Sequence, residues 1–156
     1  MKLELKSAAL ATVFVSLVAV ALPYIASRWF APWSLPLAVR AIGVALAVGG
    51  FALSLWCVVL FDVVGKGTPA PIDPPTKLVT TGPYAHVRNP MLSGMAFVLI
   101  GEALAFASPG IAACAAGFLV LVNAILLLVE EPALVRRFGA DYDEYRRRVP
   151  RWLPRP

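Results

Sequence analysis

The sequence contains little charge for its length. Only 15% of the 156 residues are charged, whereas 60% are hydrophobic, and the mean hydropathy is +0.78. A water-soluble domain of this size cannot hide so much apolar surface, because small domains have too much surface for their volume. The composition therefore argues against a soluble enzyme and favours a single domain that spans residues 1–156 and folds in a lipid bilayer.

Cysteine and histidine, the common ligands of structural metal sites, are also scarce. The two cysteines, Cys57 and Cys114, fall inside apolar runs, and His86 is the single histidine. Because a disulfide framework or a zinc site needs a different pattern, we expect no bound metal and two packing cysteines. His86 could act as a base near neutral pH, but one histidine on a polar loop is more often incidental.

What the chain has in abundance is long apolar sequence. Four runs are nearly free of charge and approach the ~20 residues that cross a hydrocarbon core. They predict an all-α fold, an integral membrane helical bundle of about four transmembrane helices with a cytoplasmic C-terminal helix. The predicted spans are Ala8–Ala26, Leu37–Phe61, Met91–Ala107 and Ile111–Val129. The short Ser108–Gly110 segment predicts a tight turn, so the last two spans should form an antiparallel hairpin.

The distribution of Lys and Arg predicts the orientation in the membrane. With the N-terminus inside, only Arg28 and Arg40 lie outside, as the positive-inside rule requires. The loop 62–90 and the tail 130–156 then share the cytoplasmic face of a multi-pass protein, in the plasma membrane of a prokaryote. The basic tail is explained as a topology signal and could also touch anionic lipids, so the chain needs no nucleic-acid partner.

The loop 62–90 is the first candidate for chemistry, because it is rich in Pro and Gly and long loops in compact proteins are usually functional. Pro83 favours a turn, and Pro90 pre-sets the first turn of the third span. That helix start offers unpaired backbone donors for a carboxylate or another anion. The polar groups held there are Tyr84, Arg88 and Asn89. A plain alternative is an interfacial anchor, in which Tyr sits in the aromatic belt and Arg snorkels.

The second candidate is the acidic pair Glu130 and Glu131, directly after the fourth predicted span. Carboxylates at a helix C-terminus meet the negative end of the helix dipole, which costs about 0.3–1 kcal/mol per charge. A positive partner should therefore lie nearby. Arg136 and Arg137, one turn on, could supply it, and a bound cation such as the sulfonium of a cofactor is the alternative.

The tail after Pro132 has the pattern of an amphipathic helix that is interrupted at Gly139 and ended by Pro150. Such a helix could lie on the bilayer surface or close over the loop 62–90. Two polar residues lie deeper, in the third and fourth spans. We interpret Glu102 as an interfacial carboxylate near the outer end of its helix and Asn123 as a hydrogen-bonding link between helices.

Two separated blocks carry a family resemblance. The first reads Thr-Gly-Pro-Tyr-Ala-His-Val-Arg-Asn-Pro-Met from Thr81, and the second begins Glu-Glu-Pro-Ala-Leu-Val-Arg-Arg-Phe-Gly at Glu130, with a membrane hairpin between them. Their order and spacing over residues 76–154 resemble the isoprenylcysteine carboxyl methyltransferases and the related membrane phospholipid methyltransferases. The first two spans match these proteins only as generic membrane helices.

The resemblance implies that S-adenosylmethionine binds between the loop and the end of the hairpin, without a soluble Rossmann domain, and the sequence has no Gly-x-Gly-x-x-Gly fingerprint. From the mechanism of methyl transfer we expect Arg88 and Glu131 to be the catalytic residues, nearest the methyl acceptor. The implied contacts to the methyl donor are Thr76, Lys77, Leu78, Val79, Tyr84, Asn89, Pro90, Met91, Leu92 and Glu130.

Three positions depart from the family pattern. Asn89 stands where the family usually has His, Leu92 where Tyr is common, and Leu126 where the carboxyl methyltransferases have an Arg that contacts the substrate. The leading hypothesis is an S-adenosylmethionine-dependent enzyme of isoprenylcysteine carboxyl methyltransferase type, with a lipophilic acceptor that enters from the bilayer. The alternatives are a phospholipid or small-molecule N- or S-methyltransferase, an NADPH enzyme like the membrane sterol reductases, and a non-enzymatic scaffold. The sequence leaves the acceptor and the oligomeric state open.

Overall fold

The computed structural model describes residues 17–66 and 75–154, and all regular secondary structure in this part of the chain is helical. Its five helices are α1 (Leu17–Ser27), α2 (Leu37–Gly65), α3 (Pro90–Ala105), α4 (Pro109–Phe138) and α5 (Ala140–Arg148). A short 3-10 turn, Gly82–Ala85, precedes α3. The all-α membrane-bundle fold expected from the sequence is thus confirmed.

Helices α2 and α4 are long and apolar enough to cross a membrane, whereas α1 and α3 are shorter apolar helices. The predicted first span begins at Ala8, and its residues 8–16 lie outside the described part of the chain. The third span, predicted at 91–107, is a helix over Pro90–Ala105. At ~1.5 Å per residue, the 30-residue α4 is about 45 Å long, so its last turns extend beyond a hydrocarbon core of ~30 Å.

Glycines bring α2 and α3 unusually close together. Gly43 of α2 lies opposite Gly101 of α3, and Gly50 lies opposite Gly94. A Cβ atom built on Gly50 would be 2.5 Å from the carbonyl oxygen of Gly94, so only glycine fits at this crossing. The hydroxyl of Ser54, one turn beyond Gly50, donates to a carbonyl in the first turn of α3 at 3.2 Å. This is the small-residue packing by which membrane helices approach each other, and we call it the glycine seam.

The turn between α3 and α4 is tight, as the sequence predicts. Ser108 is the N-cap of α4, and its hydroxyl accepts a hydrogen bond from the backbone N–H of Ile111 at 3.3 Å. Ala107 takes a positive φ of 52° to make the turn. The two helices enclose the main apolar core, which is formed by Met95, Ala96, Leu99, Ala115, Phe118 and Val122.

Both long helices continue past their predicted ends. Helix α2 extends four residues beyond Phe61, through a π-helical turn, to Gly65. Helix α4 does not stop at Val129, because a π-helical turn at Leu126–Glu130 leads directly into the segment Glu131–Phe138. Pro132 is accommodated just after this turn, where the altered hydrogen-bond spacing relieves the need for its missing N–H. Glu130 and Glu131 therefore lie within a helix, and the helix-dipole argument made for them from the sequence does not hold.

The predicted break and end of the tail helix are both present. Gly139 has a φ of +53° and separates α4 from α5. Helix α5 ends at Arg148, two residues before Pro150. The chain then folds back toward α4, since Trp152 packs against the main core.

Candidate active site

The loop before α3 and the tail after α5 touch each other at one end of the bundle. The backbone N–H of Arg88 donates to the carbonyl of Pro150 at 2.8 Å. Leu78 of the loop packs against an aromatic cluster of the tail, formed by Tyr142 and Tyr145 with Val149. The two sequence blocks that lie on either side of the membrane hairpin are therefore in contact in the folded chain.

Glu131 is the centre of this site, and two arginines hold it. Its Oε1 lies 2.9 Å from an Nη atom of Arg88 and accepts from Nε of Arg151 at 2.9 Å, while its Oε2 accepts from Nη2 of Arg151 at 2.9 Å. The side chains of Arg88 and Glu131 are only 12% and 14% exposed. Both carboxylate oxygens thus make charge-assisted hydrogen bonds in a partly dry environment, the arrangement in which such bonds are strongest.

The structure brings together the two residues predicted to be catalytic, Arg88 and Glu131, and adds a third that the sequence did not single out. Arg151 lies 20 positions after Glu131, and its pairing depends on the tail folding back. The positive partners of Glu131 in the structure are thus Arg88 and Arg151, from distant parts of the chain. The only sequence feature that could have indicated the role of Arg151 is its position directly before Trp152.

The tyrosines of α5 attach the tail to the loop. The hydroxyl of Tyr142 accepts from Arg88 at 3.3 Å, and the hydroxyl of Tyr145 donates to the carbonyl oxygen of Tyr84 at 2.7 Å. Burial raises the pKa of Tyr142, and the negative charge of Glu131 raises it further, although the Arg88 contact acts in the opposite direction. Burial likewise raises the pKa of Tyr145. Both phenols therefore stay protonated at neutral pH and serve as hydrogen-bonding groups.

Tyr84 is buried rather than open to a ligand. Its ring packs edge-on against Phe61 with 5.6 Å between centroids, and its hydroxyl shares a hydrogen bond with Cys57. Burial raises the pKa of Tyr84, and the charges of Cys57 and Glu130 add to this effect. The electrostatic interaction places the Glu130 carboxyl group near Tyr84. Although the residue as a whole is exposed, burial of its carboxyl group raises the pKa of Glu130, and the charge of Glu131 adds to this effect.

Two neighbouring side chains carry buried donors with no partner. These are Nε of Arg88 and Nδ2 of Asn89, neither of which has an acceptor among the described residues. Asn89 is the N-cap of α3, and its carbonyl accepts the first bond of that helix, from the N–H of Ser93 at 3.0 Å. The amides of Met91 and Leu92, ahead of this bond, are left without a helical acceptor. Buried unpaired donors are rare in folded proteins and call for an acceptor-bearing ligand or water.

The other predicted donor-binding residues divide into exposed and packed groups. Thr76 and Lys77 are exposed, and their backbone N–H groups donate to the carbonyl of Gly65 at 2.9 and 3.2 Å, which fixes the loop to the end of α2. In the packed group, Val79 and Met91 contact the cluster around Cys57, and Leu92 contacts the main core. Leu78 contacts the tyrosines of α5, and Pro90 is buried.

The tail is also joined to α4 through Asn123. The indole N–H of Trp152 donates to Oδ1 of Asn123 at 2.9 Å, and Nδ2 of Asn123 donates to the carbonyl of Leu119 one turn earlier. The hydrogen-bonding role expected for Asn123 is therefore present, but its partner is the returning tail. Leu126, at the position where related enzymes have an Arg, is 1% exposed and fully packed.

Comparison with known proteins identifies the family to which the chain belongs. A curated relative, the nickel-cobalt-cadmium resistance protein NccN of Alcaligenes xylosoxydans xylosoxydans, is 32% identical over 145 residues, which cover 92% of the chain. The chain spans 62% of the length of that relative. Residues 38–141, well over half of the chain, match the phospholipid methyltransferase family. This range contains α3, α4, nearly all of α2, the loop before α3 and Glu131, and it leaves out α1 and most of α5. The chain therefore belongs to the phospholipid methyltransferase family, a family of membrane methyltransferases.

Proposed function

We propose that the protein is an S-adenosylmethionine-dependent methyltransferase of lipophilic acceptors, with its donor site where the loop, the start of α3 and the tail meet. The observation that carries the proposal is the pair of unpartnered buried donors, Arg88 Nε and Asn89 Nδ2, at the N-terminus of α3. Membership of the phospholipid methyltransferase family supplies the reaction class.

The chemistry of these groups fits S-adenosylmethionine. The unpartnered groups, Nε of Arg88, Nδ2 of Asn89 and the first amides of α3, are donors, and they suit the carboxylate and hydroxyl oxygens of that molecule. The carboxyl group of Glu130 lies near Tyr84, and burial and the charge of Glu131 raise its pKa. A nearby cation would relieve this unfavourable charge, so Glu130 suits the amino or sulfonium cation of S-adenosylmethionine. When bound, S-adenosylmethionine supplies an electrophilic methyl group on sulfur.

The residues of the chain would act mainly by positioning and by excluding water. Glu131 fixes the guanidinium of Arg88, because both of its oxygens are held by arginines. The hydroxyl of Tyr145 holds the loop backbone at Tyr84. The tail thereby closes one side of the site, which keeps the donor-binding groups of the loop in a fixed arrangement.

The same network bears on the acceptor. Because both oxygens of Glu131 are occupied by guanidinium groups, Glu131 is poorly placed to remove a proton. A carboxylate acceptor, such as that of an isoprenylcysteine, needs no base, and we propose this class first, with entry from the bilayer. A neutral or amine-bearing phospholipid is the second candidate, because the packed Leu126 provides no guanidinium to bind an acid.

Calorimetric titration of the purified protein in detergent tests the donor. We expect S-adenosylmethionine to bind, and Asn89→Ala to weaken binding about tenfold by removing a buried hydrogen bond. The matched control is Arg148→Ala, which removes a side chain that is 71% exposed. Binding of NADPH in place of S-adenosylmethionine would indicate a reductase, and binding of neither would indicate a scaffold. Either result, or equal donor affinity in the two variants, would contradict the proposed site.

The acceptor is tested by methyl transfer to a farnesylated cysteine, to phosphatidylethanolamine and to a small thiol under one condition. Preference for the farnesylated acid would support the carboxylate class and show that Leu126 does not prevent it. Preference for the phospholipid would support the second candidate. Preference for the soluble thiol would contradict access from the bilayer.

The orientation, with both termini in the cytoplasm, is part of the proposal and is tested separately. Reporter fusions after Leu78 and after Pro156 should both report the cytoplasm, whereas a fusion after Trp33 should report the outside. Opposite locations for the first two fusions would contradict a site shared by loop and tail.

A further inference from the structure

We propose that the end of the bundle opposite to Arg88 and Glu131 binds one zwitterionic phospholipid as a non-reacting ligand, with its ammonium group on Glu102 and its phosphate on Arg28. The two charged residues line one cavity of about 580 Å³ between α1 and the turn that joins α3 to α4. This site is independent of the proposed methyl transfer.

Glu102 is the residue whose environment indicates a bound ligand. It lies 12 residues after Pro90 in α3, so the rise of the helix puts it roughly 18 Å from the candidate active site. Its Oε2 atom is buried and has no hydrogen-bond partner among the described residues. A carboxylate in an apolar membrane helix is costly, and such groups are normally paired or functional.

The surroundings of Glu102 provide both space and an opposite charge. Glu102 also lines a second cavity of about 370 Å³ between α2 and α3, and Ala19 and Val20 of α1 border both cavities. Arg28 lines the larger cavity only. In the described part of the chain no ion pair joins Arg28 to Glu102, so two opposite charges border one space without neutralising each other directly.

This arrangement favours a zwitterion with an apolar chain. The larger cavity has a cationic and an anionic side chain together with hydroxyl groups, which suit a phosphate and an ammonium in one headgroup. Apart from Glu102, the described lining of the smaller cavity is apolar, with Val48, Phe51 and Val98 suited to an acyl chain. An anionic lipid would place negative charge against Glu102, and a small soluble amine would leave the apolar groove unused.

Native mass spectrometry of the purified full chain in detergent tests the proposal by titration with phosphatidylethanolamine, phosphatidylglycerol and soluble phosphoethanolamine. We expect one phosphatidylethanolamine to bind at least about tenfold more tightly than either other ligand. Glu102→Gln and Arg28→Ala should each weaken it about tenfold. A matched control, Asp62→Asn, removes an exposed carboxylate at the other end of α2 and should change nothing. The variant Arg88→Ala should retain this lipid, which separates the proposal from the methyl-transfer site.

The location of the bound phospholipid is tested with a phosphatidylethanolamine that carries a photoreactive group near its headgroup. Labelled peptides should come from residues 19–32 or 102–111, and Arg28→Ala, a change at an exposed position, should reduce the labelling without lowering the unfolding temperature. Labelling confined to residues 75–92, equal binding of phosphatidylglycerol, equal binding of soluble phosphoethanolamine, or unchanged binding in both Glu102→Gln and Arg28→Ala would overturn the proposal.

Discussion

Replacing Glu131 by Gln tests the centre of the candidate site most directly. The amide keeps the shape of the side chain but removes the charge that faces Arg88 and Arg151. One of its two terminal atoms becomes an N–H donor, which must face another donor because arginines hold both carboxylate oxygens. Two guanidinium groups then lie close together without a carboxylate between them.

The expected cost follows from burial and from the number of bonds lost. Removing one partner of a buried ion pair costs about 3–5 kcal/mol, and hydrogen bonds to charged groups contribute about 1.5–3 kcal/mol each. The three side chains are 12%, 14% and 26% exposed, so solvent offsets part of this loss. We expect Glu131→Gln to reduce the free energy of unfolding by about 2–4 kcal/mol, with a parallel loss of S-adenosylmethionine affinity.

Unfolding of the purified protein in mixed detergent and denaturant, followed by tryptophan fluorescence, measures this difference. The matched control is Glu144→Gln in the same tail, because Glu144 pairs with Arg148 at 3.3 Å while the two side chains are 61% and 71% exposed. Such a surface pair contributes less than about 0.5 kcal/mol. Equal losses in the two variants, or a Glu131→Gln protein as stable as wild type, would refute the claim that Glu131 holds the loop and the tail together.

Three further predictions concern the seam, the tail and the effect of pH. Gly101→Ala should destabilise the protein by at least about 2 kcal/mol because its Cβ would lie 2.5 Å from the facing backbone, whereas Gly49→Ala, with open space around its Cβ, should be neutral or stabilising in the same unfolding assay. Trp152→Phe should cost about 1 kcal/mol through the lost bond to Asn123, and no loss would contradict the observed return of the tail. Because burial raises the pKa of Tyr145, its protonated form stabilises the fold up to pH ~10 and this contribution falls as the pH rises further. In Tyr145→Phe, the free energy of unfolding should decrease less steeply between pH 8 and 11. The same pH dependence in wild type and variant would contradict this contribution of Tyr145.

In the described part of the chain, the order of the helices could be predicted from the sequence, because apolar segments in lipid must form helices to satisfy their backbone hydrogen bonds. The helix ends could not be predicted equally well. Residues after Phe61 and after Val129 contain an acidic group or a proline, which normally indicate an end, yet π-helical turns continue both helices. Hydropathy predicts which segment lies in the lipid, and it does not predict how many further helical residues extend into water.

The meeting of loop and tail could be predicted in outline, because the two motif blocks resemble one family and their charges indicate one membrane face. The contacts themselves were only partly predictable. Arg88 and Glu131 were both expected near the methyl acceptor, but Arg151 acquires its role only because the chain reverses after Arg148. Likewise, the burial of Tyr84 depends on Phe61 and Cys57 of α2, a helix for which the sequence offered only a generic membrane span.

The glycine seam has a further consequence for the loop that it frames. About 24 residues separate Gly65 from Pro90, and bringing together the ends of an unfolded chain segment of that length costs roughly 3 kcal/mol of entropy. Because the seam fixes the end of α2 beside the start of α3, this entropy is lost when the helices associate. A small molecule that later contacts the loop meets a chain whose ends are already joined, so its binding energy is not consumed in bringing them together. Loosening the seam at Gly43 and Gly101, roughly 16 Å along α3 from Pro90, should therefore weaken ligand binding at the loop.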